Sequence, residues 1–135
     1  MTQQGTGNSI GDSSSSTSLN GDNQTISISQ VGSNNTHNVS VQGGNATVNS
    51  VVTGDSNTMS VTQSGNGGHY LSVTEYGNGN DAQVTQSGNT KNNATINLTN
   101  NGGAASVTLQ QSGGQTYNID RTCTTTCGRV IVTQP

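Results

Sequence analysis

Glycine returns along this chain at a nearly constant interval, and that interval limits the fold more than any other feature. Gly32, Gly43, Gly54, Gly65, Gly77, Gly88, Gly102 and Gly113 follow one another at steps of 11, 11, 11, 12, 11, 14 and 11 residues. Six and four positions before them stand the pairs Ile26/Ile28, His37/Val39, Val48/Ser50, Met59/Val61, Leu71/Val73, Ala82/Val84, Ile96/Leu98 and Val107/Leu109. Only His37 and Ser50 in that set are polar. The intervening positions are Ser, Thr, Asn or Gln, apart from Val31, Val51 and Tyr76. Such alternation marks a strand with one buried face. The glycine marks the bend that follows, where a positive φ or a tight turn excludes a side chain.

A chain with 25% hydrophobic residues, 2% aromatic residues and 19 glycines would ordinarily stay disordered. Disordered chains, however, usually carry a high net charge, and here only 7% of residues are charged. Asn- and Gln-rich, charge-poor composition favours β-association instead. The sorting of apolar and polar positions decides between the two in favour of repeated β-structure. Strand, turn, strand, turn makes a two-stranded coil of about 22 residues, and each coil stacks on the last in parallel register. The expected fold is all-β: a β-solenoid of about five such coils, at 24–45, 46–67, 69–90, 94–114 and 115–135. Val130-Ile131-Val132-Thr133-Gln134 supplies its last strand. Residues 1–23 lack the alternation and read as a flexible polar arm.

Two polar columns accompany the apolar ones. Two positions before the glycines stand Gln30, Gln63, Gln86, Asn100 and Gln111, interrupted by Val41, Val52 and Glu75. An inward amide is costly unless its hydrogen bonds are met, and amides stacked on successive layers meet one another's. The alternative is a strand-end glutamine wetted by solvent. Eight positions before alternate glycines stand Asn35, Asn57 and Asn80, while the other strands carry Gln24, Ala46 and His69 there. The repeating unit is therefore the strand pair, and Ala94 and Ala105 break the Asn pattern later.

Several function classes are excluded as expectations. Three Lys+Arg against six Asp+Glu leave a net charge of −3, with no basic cluster or aromatic platform for nucleic acid. No apolar run is long enough for a transmembrane segment. The amino-terminal residues lack the pattern of a secretion signal, so an exported form is expected to have lost one. Gly7-Asn8-Ser9-Ile10-Gly11 spells a nucleophile pentapeptide and Gly77-Asn78-Gly79-Asn80-Asp81-Ala82 a loose dinucleotide loop. Neither stands between a strand and a helix with partner residues. No enzyme activity, no cofactor and no metal site is expected.

Gln30-Val31-Gly32-Ser33-Asn34-Asn35 (Q-x-G-x-x-N) and Asn80-Asp81-Ala82-Gln83-Val84-Thr85-Gln86 (N-x-A-x-V-x-Q) resemble the curlin repeat of bacterial curli amyloid subunits. The resemblance covers about 24–134 and departs from the pattern at Val41, Val52, Glu75 and the long 88–102 step. It implies a structural subunit of an extracellular functional amyloid that polymerises head to tail for biofilm matrix and adhesion. It further implies export through the periplasm and an outer-membrane pore addressed by the amino-terminal segment, a nucleator partner, and a cell-surface location. A monomeric or anchored curlin-like adhesin, or a nucleator, is the alternative.

Cys123 and Cys127 are the only cysteines. A disulfide pinning the last turn is expected, since a tight arc brings residues four apart within bonding reach. Free thiols or a link between subunits are the other possibilities. Asp55, His69, Glu75, Asp81 and Lys91 read either as charges that slow premature stacking or as ordinary solvated turn residues.

Overall fold

The structure, a computed structural model, describes residues 1–10 and 17–135. Among them are strands β1 (Thr2–Gln4), β2 (Ser9–Ile10), β3 (Ser18–Asn20), β4 (Thr25–Val31), β5 (Thr36–Gln42), β6 (Thr47–Thr53) and β7 (Thr58–Ser64). They continue as β8 (Tyr70–Tyr76), β9 (Asp81–Gln86), β10 (Asn93–Asn100), β11 (Ser106–Gln111), β12 (Thr116–Cys123) and β13 (Arg129–Gln134), with no helix among the described residues. One sheet runs β1-β4-β6-β8-β10-β12. The other runs β2-β5-β7-β9-β11-β13, with β3 also on β5. Every pairing is parallel. The chain is thus a β-solenoid of about six turns.

Register explains why so small a core suffices. Thr25 lies beside Thr47, Thr47 beside Tyr70 and Tyr70 beside Asn93, so successive turns superimpose at steps of 22 or 23 residues. Period-two alternation then stacks like on like. Ile28, Ser50, Val73, Ile96 and Ile119 form the central inward column of one sheet, and Val39, Val61, Val84, Leu109 and Val132 that of the other. Of the fourteen apolar residues expected inside, Ile26 is half-buried, and the other thirteen are buried. His37 and Ser50, the two polar exceptions, are buried as well. Ser50 donates its hydroxyl to Met59 Sδ at 3.1 Å.

The corner glycines answer to two constraints at once. Gly54 has φ +127°, a conformation that side chains rarely adopt, and a Cβ there would lie 2.0 Å from the carbonyl oxygen of Gly77 in the next turn. Turns stack as tightly as strands, with Gly54 N donating to Val31 O and Gly77 N to Thr53 O, both at 2.9 Å.

Two expectations require correction. The described part of residues 1–23 does not stand apart from the stack as an arm. Thr2–Gln4 pair with Ser29–Val31, Ser9–Ile10 with Thr36–His37, and Ser18–Asn20 with Ser40–Gln42. This first turn is hard to read in the sequence because its offset changes from 27 to 22 residues between β2 and β3. Residues 11–16, with the end of the Gly7–Gly11 pentapeptide, lie outside the described residues.

The second correction concerns Gly102, which is not the counterpart of Gly77. Asn100 takes that place: Thr99 pairs with Tyr76, and a Cβ on Gly77 would meet Asn100 O at 2.2 Å. The corner after β10 is enlarged, so its glycines come two residues late. Ala94, Ile96 and Leu98 consequently lie over Leu71, Val73 and Glu75.

We expect Gly54→Ala to destabilise the fold by at least about 1–3 kcal/mol, from backbone strain alone. Gly128 has nothing within 4 Å of an added Cβ, and Gly128→Ala should stay within about 0.5 kcal/mol of the parent. Urea denaturation followed by circular dichroism measures both.

Candidate functional site

The repeated surface between one turn and the next is the candidate site, because it is there that the polar side chains of successive layers meet. Three features build it: an amide ladder inside one sheet, polar columns at the two corners, and one buried acid.

The ladder runs through β7, β9, β11 and β13. Gln63 Nε2 donates to Gln86 Oε1 at 2.7 Å, Gln86 Nε2 to Gln111 Oε1 at 3.0 Å, and Gln111 Nε2 to Gln134 Oε1 at 3.0 Å. Each amide is the last inward residue of its strand. In a strand-turn-strand coil that position faces the start of the opposite sheet. Second donor hydrogens accordingly reach backbone carbonyls there, Gln86 to Tyr70 O at 3.1 Å and Gln63 to Thr47 O at 3.4 Å. Val41 precedes Gln63 in the column, so Gln63 Oε1 receives no hydrogen bond. Gln134 belongs to the ladder although only its strand, not its role, was read from the V-x-V-x-Q spacing.

Two residues assigned to this ladder sit elsewhere. Gln30 lies in the other sheet beside Val52, and its Oε1 accepts from Gln3 Nε2 at 3.0 Å. Asn100 turns back on its corner, where its Oδ1 accepts from Gly102 N at 2.9 Å and Gly103 N at 2.8 Å. Its Nδ2 reaches Asn78 O in the preceding turn. It serves as a cap for the enlarged corner.

The first corner is a column of asparagines: Asn8, Asn35, Asn57 and Asn80. Asn35 Oδ1 accepts both the backbone N–H and the Nδ2 of Asn57, at 3.0 and 3.1 Å, while Asn57 Nδ2 also donates to Gly77 O at 2.8 Å. Asn8 holds Asn35 in the same way, and Asn80 N donates to Asn57 Oδ1. Each side chain thereby joins successive layers. The column ends at Ala105, whose N–H still finds Asn80 Oδ1 at 3.3 Å. Asn8 was missed, although Gly5-Thr6-Gly7-Asn8 repeats the spacing of Gly32-Ser33-Asn34-Asn35.

The opposite corner carries Gln24, Ala46, His69, Asn92 and Gln115. His69 Nε2 meets Ser64 O at 2.9 Å and its Nδ1 meets Asn92 N at 3.3 Å. Those partners assign the Nε2–H tautomer, with Nδ1 as acceptor. His69 therefore does here what asparagine does opposite. Asn92 Oδ1 in turn accepts from Gly114 N and Gln115 N, at 3.0 and 2.9 Å. Ala94 is a core residue, not an interruption of this column.

His69 and Glu75 are buried and so are not solvated turn charges, whereas Asp55 and Lys91 are exposed. Burial lowers the His37 imidazole to about 4. Burial first, and the charge of Asp81 second, raise the Glu75 carboxyl to about 8. Cys123 and Cys127 form a disulfide with their Cα atoms 5.9 Å apart, closing the corner between β12 and β13. Among the described residues no cluster of His, Cys, Asp or Glu is arranged to hold a metal ion, and no helix is long and apolar enough to cross a membrane.

Comparison with protein-family models, with curated proteins and with solved structures found no match.

Gln86→Ala removes one rung and strips a partner from both Gln63 and Gln111. We expect a loss of about 2–5 kcal/mol, since buried amide groups left unmet cost about 1–3 kcal/mol each. The outward neighbour Gln110→Ala should change stability by less than about 0.5 kcal/mol. Urea midpoints of the two variants check the contrast.

Proposed function

We propose that the protein is a structural subunit that stacks end to end into an extracellular, curli-like amyloid fibre. The observation that carries this reading is the self-complementarity of its layers. The last turn repeats the inward order of the one before it. Val130, Val132 and Gln134 register on Val107, Leu109 and Gln111. In this structure those three remain only half-buried, and β13 and β12 are the outer strands of their sheets.

An outer strand with unpaired N–H and C=O groups is a template for another strand. Here the template already repeats the inward column order of the turn before it. A contact that joins one end of a molecule to the opposite end of the next does not close on itself, and it generates filaments. The sequence resemblance to curlin repeats supports an exported, cell-surface fibre for matrix and adhesion, with a pore and a nucleator as partners.

The test is whether purified protein at micromolar concentration forms seedable fibres with a spacing of about 4.7–4.8 Å along the axis. A monodisperse monomer that seeds do not convert would favour the adhesin reading. Charge removal gives a second test. Asp55 Oδ1 accepts Ser33 N at 2.7 Å, a bond that asparagine can also make. Asp55→Asn with Asp81→Asn should therefore keep the stack, remove repulsion and shorten the lag of fibre growth severalfold. An unchanged lag removes these residues from any gatekeeping role.

A further inference from the structure

Glu75 is the only glutamate of the chain, and its neighbours in the column on either side are both apolar. It is the last inward residue of β8, between Val52 on β6 and Leu98 on β10. All three are buried, and Glu75 has no exposed surface. Neither carboxyl oxygen has a hydrogen-bond partner among the described residues. A charged carboxylate here would lose its hydration and receive nothing in exchange, which is far costlier than burying the neutral acid.

The strands packed against Glu75 offer no cation; Arg121 shares its column but lies beyond Leu98, two layers away, where its guanidinium donates to Gly128 O. β6, β7, β10 and β11 carry no titratable side chain, and β9 contributes only Asp81, whose negative charge adds to the penalty. Tyr70 and Tyr76 stand on the outward face of β8, and Asp55 is exposed in the corner between β6 and β7. The residue at the start of β9's inward face, opposite the end of β8 in the coil, is Ala82. It is small enough to leave the acid room but has no group to pair with it.

We propose that Glu75 is a proton-operated latch in the middle of the stack: its layer closes with the carboxyl protonated, and raising the pH loosens it. The latch is a property of the single solenoid and does not depend on whether copies stack.

The direction follows from proton linkage. A carboxyl raised on folding binds more protons in the folded than in the unfolded state between its two pKa values. Stability therefore falls as pH rises through that window. For Glu75 the window runs from the ordinary 4.5 to about 8. His37, lowered by burial from 6.5 to about 4, acts oppositely and costs stability as pH falls below 6.5. Between 4.5 and 6.5 the two offset each other. From 6.5 to about 8 Glu75 acts alone.

Carboxyl-13C glutamate labelling of the monomer reports this one site. The expected result is a single resonance titrating near pH 8. The unfolding equilibrium constant should rise roughly ten- to thirtyfold between pH 6.5 and 8 in the parent, and stay level in Glu75→Gln. A resonance titrating at the ordinary 4.5 overturns the proposal, as does an alkaline loss that persists in Glu75→Gln. Should that variant fail to fold, the titration of the parent protein remains decisive.

Discussion

Close stacking of identical backbone turns is the constraint from which the rest of this structure follows. Strands in a parallel sheet lie about 4.8 Å apart, and here the corners must keep that spacing too. At Gly54 the next turn's carbonyl oxygen occupies the space where a Cβ would be, and the same holds at Gly32 and Gly43, each 2.0 Å from the oxygen one turn on. Glycine at these points is required by the neighbouring layer as much as by its own φ. Once the corners superimpose, period-two alternation carries every inward side chain onto its counterpart without further specification.

Such a fold needs few apolar residues because most of its contacts are copies of one another. Apart from Ser50, each central column contributes a single aliphatic side chain per layer, and from β7 to β13 one of them is flanked by amides that bond the layers above and below. The hydrogen bonds run in one direction along the axis, Gln63 to Gln86 to Gln111 to Gln134. An internal rung loses one of its two amide partners if either adjacent layer is removed. Stability in this arrangement belongs to contacts between turns rather than to any turn alone. Glu75 stands inside the stack between Val52 and Leu98, with no rung above or below it.

Much of this architecture was legible in the residues. The pairs Leu71/Val73 and Ala82/Val84, each followed by a glycine, fix the inward face and the corner directly. The amide ladder was readable at Gln63, Gln86 and Gln111, because both period and chemistry repeat there. Legibility failed where an insertion separated the two. Gly102 was counted as the corner after β10, but the corner had grown, and Asn100 was misplaced with it. The change of offset between β2 and β3 hides the first turn, though Gly5 and Asn8 carry its signature. Single letters also conceal environment. Nothing about Glu75 in the sequence distinguishes a carboxyl turned inward between Val52 and Leu98 from a solvated one, except its place in the column.

These columns imply that the contacts holding the sheets together lie between different positions of one chain. Solid-state NMR of assembled protein, with glutamine carboxamides labelled and the labelled chains diluted in unlabelled ones, measures this directly. The solenoid predicts that correlations of Gln63 with Gln86, and of Gln86 with Gln111, survive dilution. Loss of those correlations on dilution, with contacts only between the same residue of neighbouring molecules, would contradict it.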